Sequence, residues 1–330
     1  MKKIRTAHFG IAHDHSAVTM ECARKYPDIF EIVGICEPDE ETRNTMGNHP
    51  AYAGIPWLTE DELLSRDDID AVLCEGHELR SVSDAQKCID RGFHVHLDKP
   101  GGTDIAAFEA LLKSAHQKGL TLQMGYMYRY NPAFRRVMEA VREGTLGTIT
   151  GIDGTFSILH PSEKRKWLGQ FPGGMMFYIG CHVIDMILLL NGLPDDVHPF
   201  NRSSDHDNDG SLDSAFAVLD YPRGACTVRT NATEINGYAR RSLLVSGTKA
   251  SIEIRPLECP TLMNITTLED AKKGPGSDDA SRSVFPGYLP GRYDDMMLEF
   301  SACVRGEIKN PYSWEYELEL QKVVLAACGL

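Results

Sequence analysis

Three short segments concentrate side chains able to do chemistry. The first is the run Gly10-Ile11-Ala12-His13-Asp14-His15, the second His94-Val95-His96-Leu97-Asp98-Lys99-Pro100, and the third runs from Gly173 through Tyr178 and His182 to Asp185. A glycine-led turn ahead of a helix lets backbone approach a pyrophosphate at the helix N-terminus. Of the G-x-G-x-x-G pattern only Gly10 stands; Ala12 is a small substitute for the second glycine and His15 replaces the third. Asp14 is placed to cap the following helix. His13 and His15 are of metal-ligand type, but no carboxylate or cysteine cluster nearby in the sequence completes a set, so no metal is expected. A lysine followed by proline at a strand end can present its amine to a hydroxyl. On a helix, Tyr178 and His182 are four apart and share a face, with Asp185 three further on. An imidazole titrates near neutral pH and can accept a hydroxyl proton.

These residues need elements to hold them. Apolar strand-like runs at Ile4–Ile11, Glu31–Cys36, Ala71–Cys74, His94–Leu97 and Thr121–Met124 alternate with helical patterns at Ser16–Lys25, Leu58–Leu64, Ser81–Arg91 and Ile105–Gly119. Strands alternating with helices predict a parallel sheet with crossover connections. After about residue 126 the style changes. A helix over Pro132–Glu143 precedes strands at Thr148–Ile158, Ser214–Tyr221, Ala225–Asn231, Ser242–Ser246 and Ser251–Arg255, with one apolar helix over Met175–Asn191. Asn201–Gly210 and Lys272–Pro290 read as surface loops. The prediction is an α/β chain: a Rossmann-type parallel sheet over residues 1–125, then residues 126–330 as an α/β domain on a large, mostly antiparallel open sheet.

In such sheets ligands bind at the carboxyl ends of the strands. Asp98 and Lys99 end the fourth predicted strand, and Glu37 ends the second. A carboxylate at Glu37 can accept both hydroxyls of an adenosine ribose and would repel a 2′-phosphate, favouring NAD over NADP. The loop Glu75-Gly76-His77-Glu78 follows the third strand, where Glu75 and His77 would line the nicotinamide side. Gly10, Ala12, His13, His15, Asp98 and Lys99 complete the cofactor-side candidates. His94 and His96 alternate on one strand and read as core or crevice histidines. Tyr126, Tyr128, Arg129, His160, Trp167, Asp185 and Tyr293 are substrate-side candidates.

Composition excludes other classes. The 330 residues carry a net charge of −13, which disfavours nucleic acid and anionic membranes. The longest apolar run, near Met175–Leu190, holds His182 and Asp185 and falls short of the ~20 residues of a membrane span. Nine cysteines without a C-x-x-C pair suit a reducing cytoplasm, and no secretory leader is read. Asp205-x-Asp207-x-Asp209-Gly210 has calcium-loop spacing, but Phe216 stands where a bidentate Glu is needed.

Taken in order, these motifs resemble the glucose–fructose oxidoreductase/inositol dehydrogenase/MocA family over nearly the whole chain. They are the Gly10 turn, Glu37, Asp98-Lys99-Pro100 (similar to the family's Glu-Lys-Pro), Gly125 to Pro132, the Gly173–Asp185 helix, and Tyr293 leading to Phe300. The resemblance implies NAD(P)-dependent oxidation or reduction of a sugar, inositol or related polyol, and oligomerisation, as a homodimer or homotetramer, through the C-terminal sheet. It maps the catalytic lysine to Lys99 and an aspartate-x-x-x-histidine pair to Tyr178 and His182, with tyrosine in place of the acid. On this reading His182 takes the proton of a secondary alcohol, assisted by Lys99. Net glycoside cleavage through a transient keto-sugar, or a non-catalytic NAD or sugar sensor, are the alternatives the same resemblance allows.

Overall fold

The computed structural model describes residues 2–258, 261–274, 281–288 and 291–330. The chain divides into two units, Met1–Met127 with Pro290–Gln321, and Tyr128–Leu289 with Lys322–Leu330.

The first unit alternates β1 (Ile4–Phe9), α1 (Ser16–Lys25), β2 (Phe30–Cys36), α2 (Glu40–Met46), β3 (Trp57–Leu58), α3 (Glu60–Ser65), β4 (Ala71–Cys74), α4 (Ser81–Arg91), β5 (His94–Leu97), α5 (Ile105–Gln117) and β6 (Leu122–Met124). Its sheet is parallel, in the order β3-β2-β1-β4-β5-β6. Every residue of β4 is buried, as expected of a strand covered on both faces. The order runs outward from β1 and β4 in opposite directions, so the crevice of a doubly wound sheet opens between them. Register then fixes the site: Phe9 pairs with Cys74, Cys74 with Leu97, and Leu97 with Met124. The next residues, Gly10, Glu75, Asp98 and Gly125, therefore leave the sheet along one line.

The sequence pattern placed a helix over Leu58–Leu64. The structure instead makes Trp57–Leu58 an edge strand and starts α3 at Glu60. The cause is a capping box: Glu62 N donates to Thr59 Oγ1 at 3.1 Å, and Thr59 N donates to Glu62 Oε2 at 2.7 Å.

The second unit contains α6 (Pro132–Arg142), β7 (Ile149–Thr155), α7 (Ser162–Leu168), α8 (Cys181–Asn191), β8 (Asp196–Pro199), β9 (Ser214–Tyr221), β10 (Gly224–Asn231), β11 (Ser242–Gly247), β12 (Ala250–Ile254), β13 (Met263–Thr267), α9 (Leu268–Ala271) and β14 (Arg282–Val284). The eight strands form one sheet, antiparallel except where β7 and β10 run parallel. Burial alternates along β9 and β11, so one face is packed and the other open. α8 covers the packed face, and a Cβ at Gly154 of β7 would lie 2.2 Å from Val183 Cγ1 of that helix. The single helix predicted over Met175–Asn191 begins as a π-helical turn, Met176–Gly180, before α8. Gly180 closes this turn, and a Cβ there would meet Met176 Sδ at 2.5 Å. β14, inside the predicted Lys272–Pro290 loop, pairs with β13; residues 275–280, 289 and 290 of that loop lie outside the described residues.

The chain ends in α10 (Asp294–Val304) and α11 (Trp314–Cys328). Among the described residues no helix is long and apolar enough to cross a membrane. The eight described cysteines are buried free thiols.

Candidate active site at the strand ends

Gly10 turns the chain out of β1 with φ +82°, and a Cβ there would stand 2.3 Å from Gly76 Cα. Only glycine allows this conformation and this approach of the two loops. His15 caps α1 without a side-chain bond; Ser16 N donates to His13 O at 3.0 Å, and the next amides of the first turn point toward the position an anion takes at a helix N-terminus. At the end of β2, Glu37 accepts Ile11 N at 2.7 Å and Asp39 N at 2.9 Å, with Arg80 Nη2 at 3.6 Å. A carboxylate has about four acceptor positions, so capacity for ribose hydroxyls remains. These features fit a dinucleotide. Gly10, the α1 N-terminus and Glu37 would hold its pyrophosphate and adenosine ribose. His13 N is committed to Glu75 O at 3.0 Å.

A dense buried cluster of titratable groups lies at the same strand ends. Asp98 Oδ2 meets His15 Nδ1 at 2.9 Å and His13 Nδ1 at 3.3 Å, while Asp98 Oδ1 accepts Lys99 N at 2.6 Å. Glu75 Oε2 lies 3.8 Å from His13 Nδ1, and Glu75 Oε1 lies 3.6 Å from His96 Nε2. His96 Nδ1 pairs with Gln123 Oε1 of β6 at 2.9 Å. Glu78 Oε1 is 3.6 Å from His13 Nε2. Burial drives the protonation states. It pushes the Glu75 carboxyl well up, reinforced by the charge of the neighbouring Asp98. Burial also acts to raise Asp98, but the imidazoles of His13 and His15, the His15 hydrogen bond and the Lys99 ammonium outweigh it and hold the carboxylate. Desolvation pushes His13 down to about 3 and lowers His15 and His96 as well.

No metal set was expected because no carboxylate or cysteine cluster stands near His13 and His15 in the sequence. The fold corrects that premise: Asp98, 83 residues beyond His15, arrives from β5, and the three side chains have donor atoms within 4.8 Å of one another. Lys99 is 2% exposed and its bond to Pro100 is cis. His77 is half-buried and its Nδ1 accepts Leu79 N at 3.3 Å, a turn role at the start of α4. Tyr126 is buried directly after β6, and Tyr293 meets His15 edge-on at 5.5 Å between ring centroids.

In the second unit, Arg129 and Asp185 were both read as substrate-side groups. The structure corrects this. Arg129 Nη2 and Nε donate to Asp185 Oδ1 and Oδ2 at 2.8 and 2.9 Å, and both side chains are 1% exposed. The pair clamps the 3₁₀ turn after β6 to α8 rather than presenting charge to a ligand. Tyr128 donates its hydroxyl to Glu258 Oε1 and accepts from Arg241 Nη1 at 2.9 Å. Its ring stands edge-on to His182 at 4.9 Å. Tyr178 has other neighbours: Trp167 at 5.3 Å, Phe171 at 6.4 Å and His160 at 6.4 Å, with the Lys164 ammonium 3.5 Å from the Trp167 ring centroid. Shared helix spacing thus leaves Tyr178 and His182 beside different sets of rings. Asp207, of the calcium-like loop, is taken by Arg165 and Ser162 at 2.5 to 2.8 Å.

Sequence reading missed Gln123, which strand pairing sets beside His96, and Arg241 and Glu258, which lie in connections and meet Tyr128 only in the fold. It read the whole loop Glu75–Glu78 as lining the nicotinamide side, without singling out Glu78, whose Oε1 lies 3.6 Å from His13 Nε2.

A parallel doubly wound sheet with a glycine turn at its switch point, followed by an open mixed sheet, defines a two-domain dinucleotide-fold protein. Residues 6–126 match the family model described as "Oxidoreductase family, NAD-binding Rossmann fold", and residues 134–253 match "GFO/IDH/MocA C-terminal domain". The chain belongs to the GFO/IDH/MocA family of oxidoreductases. It is 29% identical over 150 residues to the uncharacterized oxidoreductase YhhX of Escherichia coli K12, covering 45% of this chain and 43% of that protein. It is 26% identical over 200 residues to D-xylose 1-dehydrogenase (NADP(+)) 2 of Haloferax volcanii, covering 59% of each. The chain thus spans between about two-fifths and three-fifths of these curated relatives. The aldose-aldose oxidoreductase of Caulobacter crescentus, solved with glycerol, superposes with a TM-score of 0.82 at 18% identity, covering 99% of this chain and 98% of that one.

Proposed function

We propose that this protein is an NAD-dependent oxidoreductase acting on a secondary alcohol or ketone of a sugar, inositol or related polyol. One observation carries the reading: a buried lysine, Lys99, follows the Asp98 carboxylate at the end of β5, in line with the Gly10 turn at the switch point of a parallel sheet. When bound, the nicotinamide supplies the hydride chemistry. Lys99 Nζ donates to the substrate oxygen or receives its proton, and Asp98 keeps the Lys99 backbone in place through the 2.6 Å bond to its amide. Glu37 sets the preference for NAD by accepting ribose hydroxyls and repelling a 2′-phosphate. His182, set by Tyr128, is the second candidate for proton transfer and Tyr178 a hydrogen-bond donor to substrate. Trp167 supplies an aromatic face on which a sugar ring can stack. Half-buried Val218 and Leu244 line up on the outer face of the eight-stranded sheet, and support a homo-oligomer joined through that face. The free thiols suit a cytoplasmic setting.

The test is absorbance at 340 nm with NAD+ or NADP+ against a panel of sugars and polyols. Turnover with NAD is expected, and Lys99→Ala should lower it by about two orders of magnitude or more. Turnover of the variant within threefold of the parent on the same substrate sinks the assignment.

A further inference from the structure

We infer that His13, His15 and Asp98 form a binding site for a divalent first-row transition metal, with the Glu75 carboxyl group beside it. The donors come from two separate segments that strand register brings together, the loop after β1 and the end of β5. His15 Nδ1 and His13 Nδ1 both face Asp98 Oδ2, at 2.9 and 3.3 Å, and Glu75 Oε2 stands 3.8 Å from His13 Nδ1. Donor atoms ~2.1 Å from a tetrahedral zinc ion lie about 3.4 Å from one another. The two separations to Asp98 Oδ2 lie close to that value and the whole donor set falls within 4.8 Å, so an ion enters with a side-chain adjustment that draws the two imidazoles together.

A hydrogen-bonded network alone leaves a feature unexplained. His13 is 2% exposed, its Nδ1 accepts His15 N at 3.1 Å, and its Nε2 has no hydrogen-bond partner. A neutral imidazole accepting at Nδ1 carries its proton on Nε2, and that proton faces Glu78 Oε1 at 3.6 Å. Coordination at Nδ1 would take the lone pair that now accepts His15 N, and Nε2–H would stay directed to Glu78, as a metal-bound histidine directs its second ring nitrogen to an outer carboxylate. Two imidazoles with one or two carboxylates suit zinc or a neighbouring divalent ion over magnesium or calcium, which take oxygen donors. Around His15 the Asp98 carboxylate is opposed by the Lys99 and Arg292 cations. The ion would be held by direct coordination to its donors.

The site lies on the Gly10–His15 loop, so a bound ion would sit beside the phosphates of a dinucleotide. The inference does not depend on the cofactor reading, because it concerns the chain's own donors.

The experiment uses the full chain, stripped by chelator and titrated with Zn2+ in a calorimeter, then with Co2+ in an absorption cell. One Zn2+ per chain is expected, with Co2+ giving visible ligand-field bands of a low-coordinate nitrogen–oxygen site. Outer-carboxylate changes typically cost ~10–100-fold in metal affinity, so Glu78→Gln should fall in that range. His15→Ala and Asp98→Asn, which remove donors, should each cost more than ~100-fold. His198→Ala, an exposed histidine on β8, should cost nothing. Binding that survives both donor variants, or no binding by the parent chain, overturns the proposal. Should a donor variant fail to fold, the parent's Co2+ spectrum decides, and absence of the bands overturns the site. Loss of NAD binding with zinc binding intact would fell only the cofactor reading.

Discussion

Replacing Arg129 with Met tests the physical account of the second unit most severely. Asp185 would then stand inside α8 with its carboxylate 1% exposed and its bidentate partner gone. Removing one member of a buried ion pair costs about 3–5 kcal/mol, because the other charge stays desolvated and uncompensated. For a domain of 150–250 residues each kcal/mol lowers the melting midpoint by ~2–4 °C, so a fall of roughly 6–20 °C is expected. The pair as a whole is worth far less. Replacing both members with apolar residues is commonly neutral, so Arg129→Met with Asp185→Leu should recover most of the loss. Urea unfolding followed by near-ultraviolet circular dichroism on the parent, both single variants and the double variant gives the coupling directly. The loss should also be insensitive to added salt, unlike that of the exposed pair Lys113–Glu109 on α5. A single-variant cost below ~1 kcal/mol, or a double variant as unstable as the sum of its singles, refutes the reasoning.

Other expectations follow from the first unit and the outer sheet. Gly10→Ala places a methyl 2.3 Å from Gly76 backbone at a left-handed φ. It should cost about 1–3 kcal/mol and abolish saturable NADH fluorescence; unchanged binding would contradict the packed-loop reading. Glu37→Ser removes the carboxylate held by Ile11 N and Asp39 N. The preference for NAD over NADP in kcat/KM should fall at least about tenfold, or ~1.4 kcal/mol; an unchanged ratio means another group discriminates. Asp270, in the capping box of α9, has its carboxyl lowered from 3.8 to about 2 by hydrogen bonds from the Thr267 hydroxyl and amide. Its unfolded value is ~3.9, so its contribution is complete above that pH and is lost as pH falls toward 2. The gap in urea midpoint between the parent and Asp270→Asn should therefore narrow from pH 5 to pH 2, and a constant gap would disprove the assignment.

Strands β2 and β4 were legible because a parallel sheet buries both faces and writes a largely apolar run, while β1 and β5 were placed by their β-branched and apolar residues between helical patterns. Ser214–Tyr221 was legible as a short apolar run, and its bounds match β9, where burial rather than residue type alternates. Two-residue β3 carries too few residues to write either pattern, and the Thr59 cap that displaced the predicted helix operates by hydrogen bonds rather than periodicity. The π-helical turn before α8 was hidden for a related reason, since its composition is that of any apolar helix and only the contact of Met176 with Gly180 distinguishes it.

The site divides along the same line. Residue type pointed to Gly10, Glu37, Asp98 and Lys99, because each ends a strand, and strand ends are where a doubly wound sheet places chemistry. Residue type could not say which of these side chains meet. Arg129 and Asp185 each carried half of a signal: a lone charge inside an apolar run needs a partner, yet nothing local names it. The same holds for His13 and His15, set aside for want of a carboxylate. Pairing of Phe9 with Cys74 and of Cys74 with Leu97 delivers Glu75 and Asp98 to them. A slip of one residue in the pairing of β4 with β5 would turn Asp98 to the opposite face of the sheet. The convergence at His13 and His15 is therefore a property of register, and register is set by the buried runs of β1, β4 and β5 rather than by the polar residues that profit from it.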